Sequence, residues 1–264
     1  MANKHGDFVW YELATSDVDK AKEFYGPLMG WAFEVSGQPE MPYHVFSKDG
    51  VQVGGMLSLT TDMIASGAQP LWAGYVEVED VDASLVKGKE AGANVYVEAT
   101  EMPEVGKFAM IADPQGAPIY LMSSASEEDS ASFAKHEPHD GHCAWNELVT
   151  TDPAGAKAFY TDLFGWEKTE EMDMGPMGLY EMYSANGYGV GAIMQKPEMM
   201  PMSAWVYYLR VPDIQVAADF ANANGGQLMG EPTQIPGGDY VIQGTDPQGA
   251  FFALIGKGEA STDG

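Results

Sequence analysis

Two glutamates stand in the same local setting and are the residues best suited to acid–base chemistry. Glu12 follows Trp10 by two positions, and Glu147 follows Trp145 by two positions. Both segments alternate like β-strands, so each glutamate should share a sheet face with its tryptophan. Desolvation on such an apolar face would raise the pKa of an unpaired carboxylate, as a general base requires. Glu12 and Glu147 are therefore candidate catalytic residues, and a solvated or salt-bridged strand residue is the alternative for each.

Aromatic side chains and one arginine are expected on the same faces. Aromatic rings provide walls on which flat organic ligands stack. Arg210 is the single arginine of the chain, and its guanidinium could hold an anionic ligand with two hydrogen bonds. Packing within the sheet is the alternative for each aromatic side chain, and an internal ion pair with Glu147 or an exposed strand position is the alternative for Arg210. The candidate ligand-binding residues are Trp10, Tyr43, Tyr75, Tyr120, Trp145, Tyr180, Tyr208 and Arg210.

The two halves of the sequence repeat each other. Residues 10–17 (WYELATSD) recur as residues 145–152 (WNELVTTD), and residues 113–117 (DPQGA) recur unchanged as residues 246–250. A repeat of this length indicates a duplicated structural unit. Each half divides again into two units of similar pattern, which begin near Asp7, Gln69, His142 and Met202.

Each quarter of the chain predicts a strand, a helix and then several strands. An aspartate that can cap the helix follows the first strand, and glycines follow the helices. The fold class is therefore α+β. We expect one domain in residues 1–125, a solvated linker in residues 126–140 and a second domain in residues 141–258. The capping aspartates are Asp17, Asp80, Asp152 and Asp213.

Charge and composition exclude several classes of partner. The 264 residues include 13 basic and 39 acidic side chains, for a formal net charge of -26, which repels phosphate backbones and anionic lipids. No apolar stretch approaches the roughly 18 residues that cross a bilayer, and Cys143 is the only cysteine. We expect a cytoplasmic protein that binds neither nucleic acid nor membranes. A homodimer is compatible with the sequence, which does not decide the oligomeric state.

The arrangement resembles the vicinal oxygen chelate superfamily, which includes glyoxalase I, extradiol dioxygenases and bleomycin-resistance proteins. The motifs that carry the resemblance are the aspartate before each helix, Phe-Tyr within and Gly-Trp after the first helix of each half, and Asp-Pro-Gln-Gly before the last strand of each half. The chain is most similar to tandem glyoxalase-like proteins that are often labelled hydroxylases. The resemblance implies four βαβββ units that form two cup-shaped domains with mixed sheets.

The resemblance also implies a divalent metal in each cup, held by histidine and glutamate, but the matching positions lack these residues. The histidine positions correspond to Trp10, Ala73, Trp145 and Val206, and the glutamate positions to Tyr120, Ala253 and the strands at 53–56 and 190–193. Divalent cations need several convergent donors. We therefore expect no metal and no cofactor.

The sequence thus predicts a protein that binds a small aromatic or carbonyl-bearing molecule in a metal-free cup. A lyase or isomerase with Glu12 or Glu147 as base is one hypothesis, and a non-catalytic binding or resistance protein is the other. A metal-dependent glyoxalase or dioxygenase with displaced ligands remains a third.

Overall fold

The computed structural model describes residues 3–38, 41–198 and 200–258. The helices are α1 (Val18–Met29), α2 (Thr61–Ala65), α3 (Val81–Glu90), α4 (Pro153–Phe164) and α5 (Ile214–Ala223). The strands of the first half are β1 (Phe8–Thr15), β2 (Ala32–Gln38), β3 (Met41–Lys48), β4 (Val51–Ser58), β5 (Leu71–Glu77), β6 (Asn94–Met102), β7 (Gly106–Ala112) and β8 (Pro118–Ser124). The strands of the second half are β9 (Cys143–Thr150), β10 (Glu167–Asp173), β11 (Leu179–Ala185), β12 (Tyr188–Gln195), β13 (Ala204–Asp213), β14 (Gln227–Leu228), β15 (Thr233–Gln234), β16 (Asp239–Thr245) and β17 (Phe251–Lys257).

These elements form four modules of a strand, a helix and further strands, which confirms the predicted α+β class. Module 1 comprises β1 to β4, module 2 β5 to β8, module 3 β9 to β12 and module 4 β13 to β17. Module 4 carries two very short strands, β14 and β15, before its final hairpin. The short helix α2 lies between modules 1 and 2 and was not predicted.

The strands belong to two mixed sheets. Their orders are β2-β3-β4-β1-β5-β8-β7-β6 and β10-β11-β12-β9-β13-β17-β16-β14, with β15 paired to β16. In every module the first and last strands pair in parallel, and the other strand pairs within a module are antiparallel. The helix between the first two strands provides the long connection that a parallel pair requires.

By packing, the chain divides into two compact units. The first packing unit combines Met1–Trp10, Ala73–His136 and Trp145–Val206, and the second combines Tyr11–Trp72, Glu137–Ala144 and Tyr207–Gly264. The first therefore contains most of modules 2 and 3, and the second most of modules 1 and 4. The predicted domains, 1–125 and 141–258, follow the sequence repeat and stay a prediction.

The capping aspartates act as predicted. Asp17 accepts from Lys20 N at 3.1 Å at the start of α1, and Asp152 accepts from Gly155 N at 3.0 Å at the start of α4. The same bond is made at α3 and α5. Each satisfies a backbone N–H that the first helical turn leaves unpaired.

Alternation along β1 gives the predicted division between its two faces. Tyr11 and Leu13 are 1% and 0% exposed, whereas Trp10 and Ala14 are half-buried. Helix α1 lies on the side of the sheet opposite Tyr43, because Trp31, just after the helix, stacks on Phe46, whose position on β3 has the opposite parity to Tyr43.

The stretch predicted as a solvated linker is partly buried. Ser132 and Phe133 are 0% and 3% exposed, and the Phe133 ring lies 6.4 Å from that of Phe8. Lys135 donates to the buried carboxylate of Asp7 at 3.0 Å. The prediction that this segment is fully solvated was therefore wrong. Although most of its residues are polar, Phe133 and Lys135 anchor it within the first packing unit.

A buried relay of hydrogen bonds in the second packing unit begins at Trp72, near the start of β5, and joins modules 1 and 4. Trp72 Nε1 donates to the Tyr25 hydroxyl at 3.1 Å, and Tyr25 donates to Asp246 Oδ2 at 3.1 Å. The other oxygen of Asp246 accepts from Gln248 N and Ala250 N in the Asp-Pro-Gln-Gly turn. Burial raises the pKa of Asp246 even though these hydrogen bonds favour its charged form.

The first packing unit contains the same relay, which begins at Trp205, near the start of β13, and joins modules 2 and 3. Trp205 Nε1 donates to Tyr160 at 3.0 Å, and Tyr160 donates to Asp113 Oδ2 at 3.0 Å. Burial likewise raises the pKa of Asp113. The sequence indicated these aspartates only as turn residues.

Among the described residues, none of the helices has both the length and the apolar character needed to cross a membrane.

Candidate functional site

Three of the candidate side chains, all on module 3, are joined in a chain of hydrogen bonds. Trp145 Nε1 donates to the Tyr180 hydroxyl at 2.7 Å, and Tyr180 donates to Glu147 Oε2 at 3.0 Å. Glu147 is 7% exposed, and the two aromatic side chains are half-buried. We call the sheet surface that carries these three residues the Glu147 face. All three were predicted, and the structure brings them together.

Strand geometry accounts for this meeting. Trp145 and Glu147 are two residues apart on β9 and therefore point to the same side. In the sheet, β12 lies between β9 and β11, and Glu147 aligns with Ala192 of β12. The long phenol of Tyr180 extends from β11 across β12 to reach the carboxylate. Trp145 also approaches Gly189, where an added Cβ would lie 3.4 Å from its ring.

The opposite side of the same strands carries ordinary ion pairs. Glu181, the neighbour of Tyr180, accepts from Lys157 of α4 at 3.4 Å and also from Lys168. Helix α4 therefore covers the side away from the Glu147 face. Burial raises the pKa of Glu181, but the hydrogen bonds and charges of the two lysines together lower it by more. The pKa of this carboxyl is therefore below its usual value.

Module 2 contributes a stacked pair of predicted residues to the first packing unit. The rings of Tyr75 and Tyr120 lie 4.0 Å apart and are inclined by 5°, because the two residues are aligned on the parallel strands β5 and β8. Tyr120 is 9% exposed, and Tyr75 is half-buried. The stack provides a flat aromatic surface of the kind predicted for a ligand wall.

Glu77, two residues beyond Tyr75, was not among the candidate residues predicted from the sequence. It is 9% exposed and accepts from Ser124 N at 3.0 Å and from the Ser124 hydroxyl. Burial raises the pKa of Glu77, which the bonds from Ser124 partly oppose. Its alternation with Tyr75 was the sequence signal that could have included it.

In the second packing unit, Glu12 of module 1 occupies the position that corresponds to Glu147. Glu12 is 5% exposed and aligns with Gly55 of β4. The Tyr43 ring lies over Gly55, since a Cβ added there would be 2.2 Å from the Tyr43 hydroxyl. Tyr43 and Glu12 are thus on the same sheet face, as predicted. Trp10, the third predicted residue of module 1, is half-buried on β1 and is the last residue of the segment Met1–Trp10, which belongs to the first packing unit.

The two candidates on module 4 are buried and bonded to neighbouring side chains. Tyr208 is 6% exposed and accepts from Gln243 Nε2 at 2.6 Å. Arg210 is 7% exposed; its Nη1 lies 2.8 Å from Asp239, and its Nε lies 3.6 Å from Asp140. The hydrogen bond from Arg210 lowers the pKa of Asp239. Anion binding by Arg210 stays a prediction, and an anion would compete there with two carboxylates.

A depression of about 440 Å³ lies beside module 3 but not on the Glu147 face. Its lining includes Lys157, Met177, Leu179 and Glu181. Leu179 and Glu181 alternate with Tyr180 along β11, so the depression opens on the helix-covered side. It contains none of the predicted site residues.

The side chains at the positions expected for metal ligands do not fit a divalent cation. Trp145 uses its N–H on Tyr180, Tyr120 is stacked on Tyr75, and Val206 and Ala253 are buried and apolar. Within residues 3–38, 41–198 and 200–258, no group of three or more His, Cys, Asp or Glu side chains could hold a metal ion. The family's metal site is therefore not built from these residues.

Comparison with known families identifies the fold. The sequence model of the Glyoxalase/Bleomycin resistance protein/Dioxygenase superfamily matches residues 7–121 and 141–254. The chain belongs to this superfamily. The two matched segments correspond to the two halves of the sequence repeat, so the predicted family and the duplicated glyoxalase-like domain are confirmed.

Relatives in the superfamily match the chain over nearly its whole length. The candidate glyoxylase CFP32 of Mycobacterium bovis is 30% identical over 256 residues, 93% of each chain. The anthracycline biosynthesis protein DauV of Streptomyces sp. strain C5 is 26% identical over 266 residues, 95% of this chain and 93% of its own.

Solved structures of the superfamily share the fold. The Mn(II)-bound glyoxalase from Novosphingobium aromaticivorans superposes with a TM-score of 0.64 at 16% identity, covering 96% of this chain and 83% of its own. The 2,3-dioxygenase LapB from Pseudomonas sp. KL28 gives 0.63 at 14% identity, covering 98% and 94%. These likenesses concern architecture, and the site must be argued from its own residues.

Proposed function

We propose that this protein binds a small aromatic or carbonyl-bearing organic molecule on the Glu147 face without a metal ion. The observation that carries the proposal is the hydrogen-bond chain from Trp145 through Tyr180 to Glu147. It fixes one carboxylate beside two aromatic side chains that remain half-buried. Apolar walls with a few oriented polar groups are typical of small-molecule sites.

Two further observations support a flat organic ligand. The Tyr75 and Tyr120 stack supplies an aromatic surface in the same packing unit. DauV, whose name places it in anthracycline biosynthesis, aligns with 95% of this chain. We extend from it only the class of ligand, a small organic molecule.

Catalysis by Glu147 is the enzymatic form of the proposal. A buried carboxylate oriented by a hydrogen bond from a tyrosine can take a proton from a bound carbonyl compound and return it elsewhere, as a lyase or isomerase requires. Tyr180 and Trp145 would keep the carboxylate oriented, and Glu12 would have the corresponding role on module 1. A non-catalytic binding or resistance protein is the alternative, since orientation of a carboxylate also serves binding.

Binding and turnover are separated by one isosteric variant. A panel of aromatic and carbonyl compounds is titrated by calorimetry, and each ligand found is incubated with protein and followed by chromatography. Glu147→Gln should keep the affinity within about threefold and abolish turnover if the glutamate is a base, with a loss of about 100-fold or more. Glu170→Gln, an exposed residue of β10, is the matched control.

The catalytic and the binding form of the proposal are contradicted by different results. If Glu147→Gln turns over at the wild-type rate, Glu147 is not the base. If no compound is ever converted but ligands bind, the binding form stands alone. If no aromatic or carbonyl compound binds, the proposal as a whole is wrong.

The metal-free state is tested by elemental analysis of protein purified without a histidine tag. We expect less than about 0.1 equivalent of any divalent transition metal, because the positions expected for ligands carry aromatic and apolar side chains. A stoichiometric metal that survives dialysis would contradict the proposal and favour a metal-dependent glyoxalase or dioxygenase with displaced ligands.

We also propose a cytoplasmic protein without nucleic-acid or membrane partners. The net charge of -26 supports both exclusions. Sedimentation with anionic vesicles and gel shift with duplex DNA at low salt should both be negative, and cell fractionation tests the compartment. A homodimer stays open and is decided by light scattering.

A further inference from the structure

Three methionines lie on the same sheet surface as the predicted site residues of module 3. Met172 of β10 and Met194 of β12 are both aligned with Tyr180. Met182 lies two residues beyond Tyr180 on β11. Side chains of aligned residues on neighbouring strands, and of residues two apart on one strand, are on the same side of a sheet. All three methionines therefore belong to the Glu147 face.

The three thioether side chains are covered to different degrees. Met194 is 6% exposed, Met182 is half-buried, and Met172 is 36% exposed on β10, which ends the strand order of its sheet. Tyr180 and Trp145 on the same face are half-buried as well. The methionines thus form an apolar wall that begins at a buried base and remains accessible to a bound molecule at its outer part.

Module 1 repeats the glutamate and the tyrosine of this face but not its methionines. Tyr43 is aligned with Ser36 on β2 and with Leu57 on β4. Val45 lies two residues beyond Tyr43 on β3. A sheet of the same design is therefore built without methionine in module 1, so packing of the sheet alone does not account for all three thioethers in module 3.

We infer that Met172, Met182 and Met194 determine the ligand specificity of the Glu147 face and select an aromatic ring over a saturated ring of similar size. A thioether is polarisable and makes favourable contacts with aromatic rings, and its unbranched chain adapts to rings of different outline. This inference rests on the proposed function, because it concerns the same face. It narrows the ligand from an aromatic or carbonyl compound to an aromatic one.

Two small ketones test the selection. Acetophenone carries its carbonyl group on an aromatic ring, and acetylcyclohexane carries the same group on a saturated ring of nearly equal size. Both are soluble enough for titration at high concentration by calorimetry. Because contacts of two thioethers with one ring add together, we expect acetophenone to bind about tenfold more tightly than acetylcyclohexane.

Leucine at two of the positions removes the sulfur and keeps most of the apolar volume. In the double variant Met172→Leu/Met182→Leu, the preference for acetophenone should fall to about threefold or less, and the affinity for acetylcyclohexane should stay within about threefold. Met177→Leu is the matched control, because Met177 is 44% exposed and lines the depression on the helix-covered side. The control should keep the wild-type preference. Circular dichroism checks that both variants are folded.

NMR of protein labelled with carbon-13 at the methionine methyl groups detects the contact itself. The chain has 17 methionines, and the signals of Met172, Met182 and Met177 are assigned by their absence from the single leucine variants. The ring current of bound acetophenone should shift the signals of Met172 and Met182. Acetylcyclohexane has no ring current and should shift them much less, and the signal of Met177 should stay in place with either ketone.

Different results contradict this inference and the function on which it rests. If acetophenone binds without shifting the signals of Met172 and Met182, or no more tightly than acetylcyclohexane, the inference is overturned while ligand binding by the protein stands. A double variant that keeps the full preference also overturns it. If neither ketone nor any compound of the calorimetric panel binds, both are wrong. Should the double variant fail to fold, the wild-type preference and the single variants decide.

Discussion

Modules 1 and 3 carry the same sequence repeat, yet they agree in the repeated residues of one sheet face and differ on the other. On one face, Trp-x-Glu and a tyrosine stand at matching positions: Glu12 and Tyr43 in module 1, Glu147 and Tyr180 in module 3. On the helix-covered face, His44 in module 1 replaces Glu181 in module 3. The repeated residues that face the predicted site are thus the same in both modules, whereas the residue beneath the helix is not.

The helix-covered face of module 1 leaves a polar atom unpaired. His44 is 9% exposed, and its Nδ1 has no hydrogen-bond partner. Burial lowers the pKa of His44, and the charge of Lys22 on α1 lowers it further, while Asp19 opposes this. In module 3, the matching Glu181 instead bonds to Lys157 of α4, the counterpart of Lys22.

The shared face also contains one telling difference. Gly55 aligns with Glu12, whereas Ala192 aligns with Glu147. The missing side chain at Gly55 lets the Tyr43 ring lie against β4. The two modules therefore share Trp-x-Glu and a tyrosine on this face but differ in the residue aligned with the glutamate.

The largest expected effect concerns the relays that the two packing units have in common. Tyr25→Phe should remove the donor to Asp246, and Tyr160→Phe the donor to Asp113. Each leaves a buried carboxylate and a buried indole N–H short of a partner, which should lower the free energy of unfolding by about 2–3 kcal/mol. Urea denaturation measures both losses.

Because the relay distances agree within 0.1 Å in the two units, at 3.1 and 3.0 Å, the two losses should be equal within about 1 kcal/mol. Tyr96→Phe, at a side chain 61% exposed, is the control and should change stability by less than about 0.5 kcal/mol. A loss at only one of the two relays would show that the packing units are not equivalent.

The second effect tests the difference between Gly55 and Ala192. In Gly55→Ala the new methyl would lie 2.2 Å from the Tyr43 hydroxyl, so the ring must move. We expect a loss of about 1–3 kcal/mol in chemical denaturation. Tyr43→Ala removes the ring with which the new methyl would clash. The double variant Gly55→Ala/Tyr43→Ala should therefore lose less free energy of unfolding than the sum of the two single losses.

The reciprocal change, Ala192→Gly, creates no clash and should cost only about 0.5–1 kcal/mol, through the flexibility of glycine in a strand. Equal costs for the two exchanges would mean that Tyr43 and Tyr180 pack in the same way against β4 and β12.

The sequence was sufficient for the fold because its signals are local and repeated. The capping aspartates fixed the helix starts, and strand alternation placed Trp145 and Glu147 on one face. Tyr180 could be named because a tyrosine recurs in both halves. The roles of these residues in ligand binding and catalysis stay predictions.

The relays and the linker could not be predicted in the same way. Tyr25 and Asp246 are separated by 221 residues, and local patterns do not reveal which modules pack together. Phe133 lies in a polar stretch whose composition indicates solvent exposure, yet one aromatic is enough to anchor it. Both the relays and the burial of the linker depend on contacts between segments that are far apart in the sequence.

A smaller effect should be visible in the pH dependence of stability. The pKa of His44 is lower in the folded protein than its ordinary value, so the unfolded chain binds the proton more readily. Stability from this residue is complete above about pH 6.5 and falls as the pH drops through the range below it.

The stability of the wild type minus that of His44→Leu should therefore decrease between pH 7 and pH 5, by at most about 1.4 kcal/mol per pH unit. Thermal denaturation at matched ionic strength measures this difference, in which the other titrating groups cancel. A difference that is independent of pH would show that His44 has the same pKa in both states.

The smallest effect is the attempt to convert module 1 into a copy of module 3. His44→Glu would place a carboxylate opposite Lys22, as Glu181 stands opposite Lys157. Module 3 has a second lysine, Lys168, bonded to Glu181, whereas module 1 has Phe33 at the matching position. One lysine should offset only part of the desolvation of the new carboxylate, but the substitution also removes the unpaired Nδ1 of His44, so the single change should be close to neutral. A double-mutant cycle with Lys22→Met should give a coupling of about 0.3–1 kcal/mol, which decreases in 1 M NaCl. A coupling of zero would mean that Lys22 of α1 does not reach position 44 of β3, although Lys157 of α4 reaches Glu181 of β11. The two modules would then be alike in their sheets but not in the way the helix packs on the sheet.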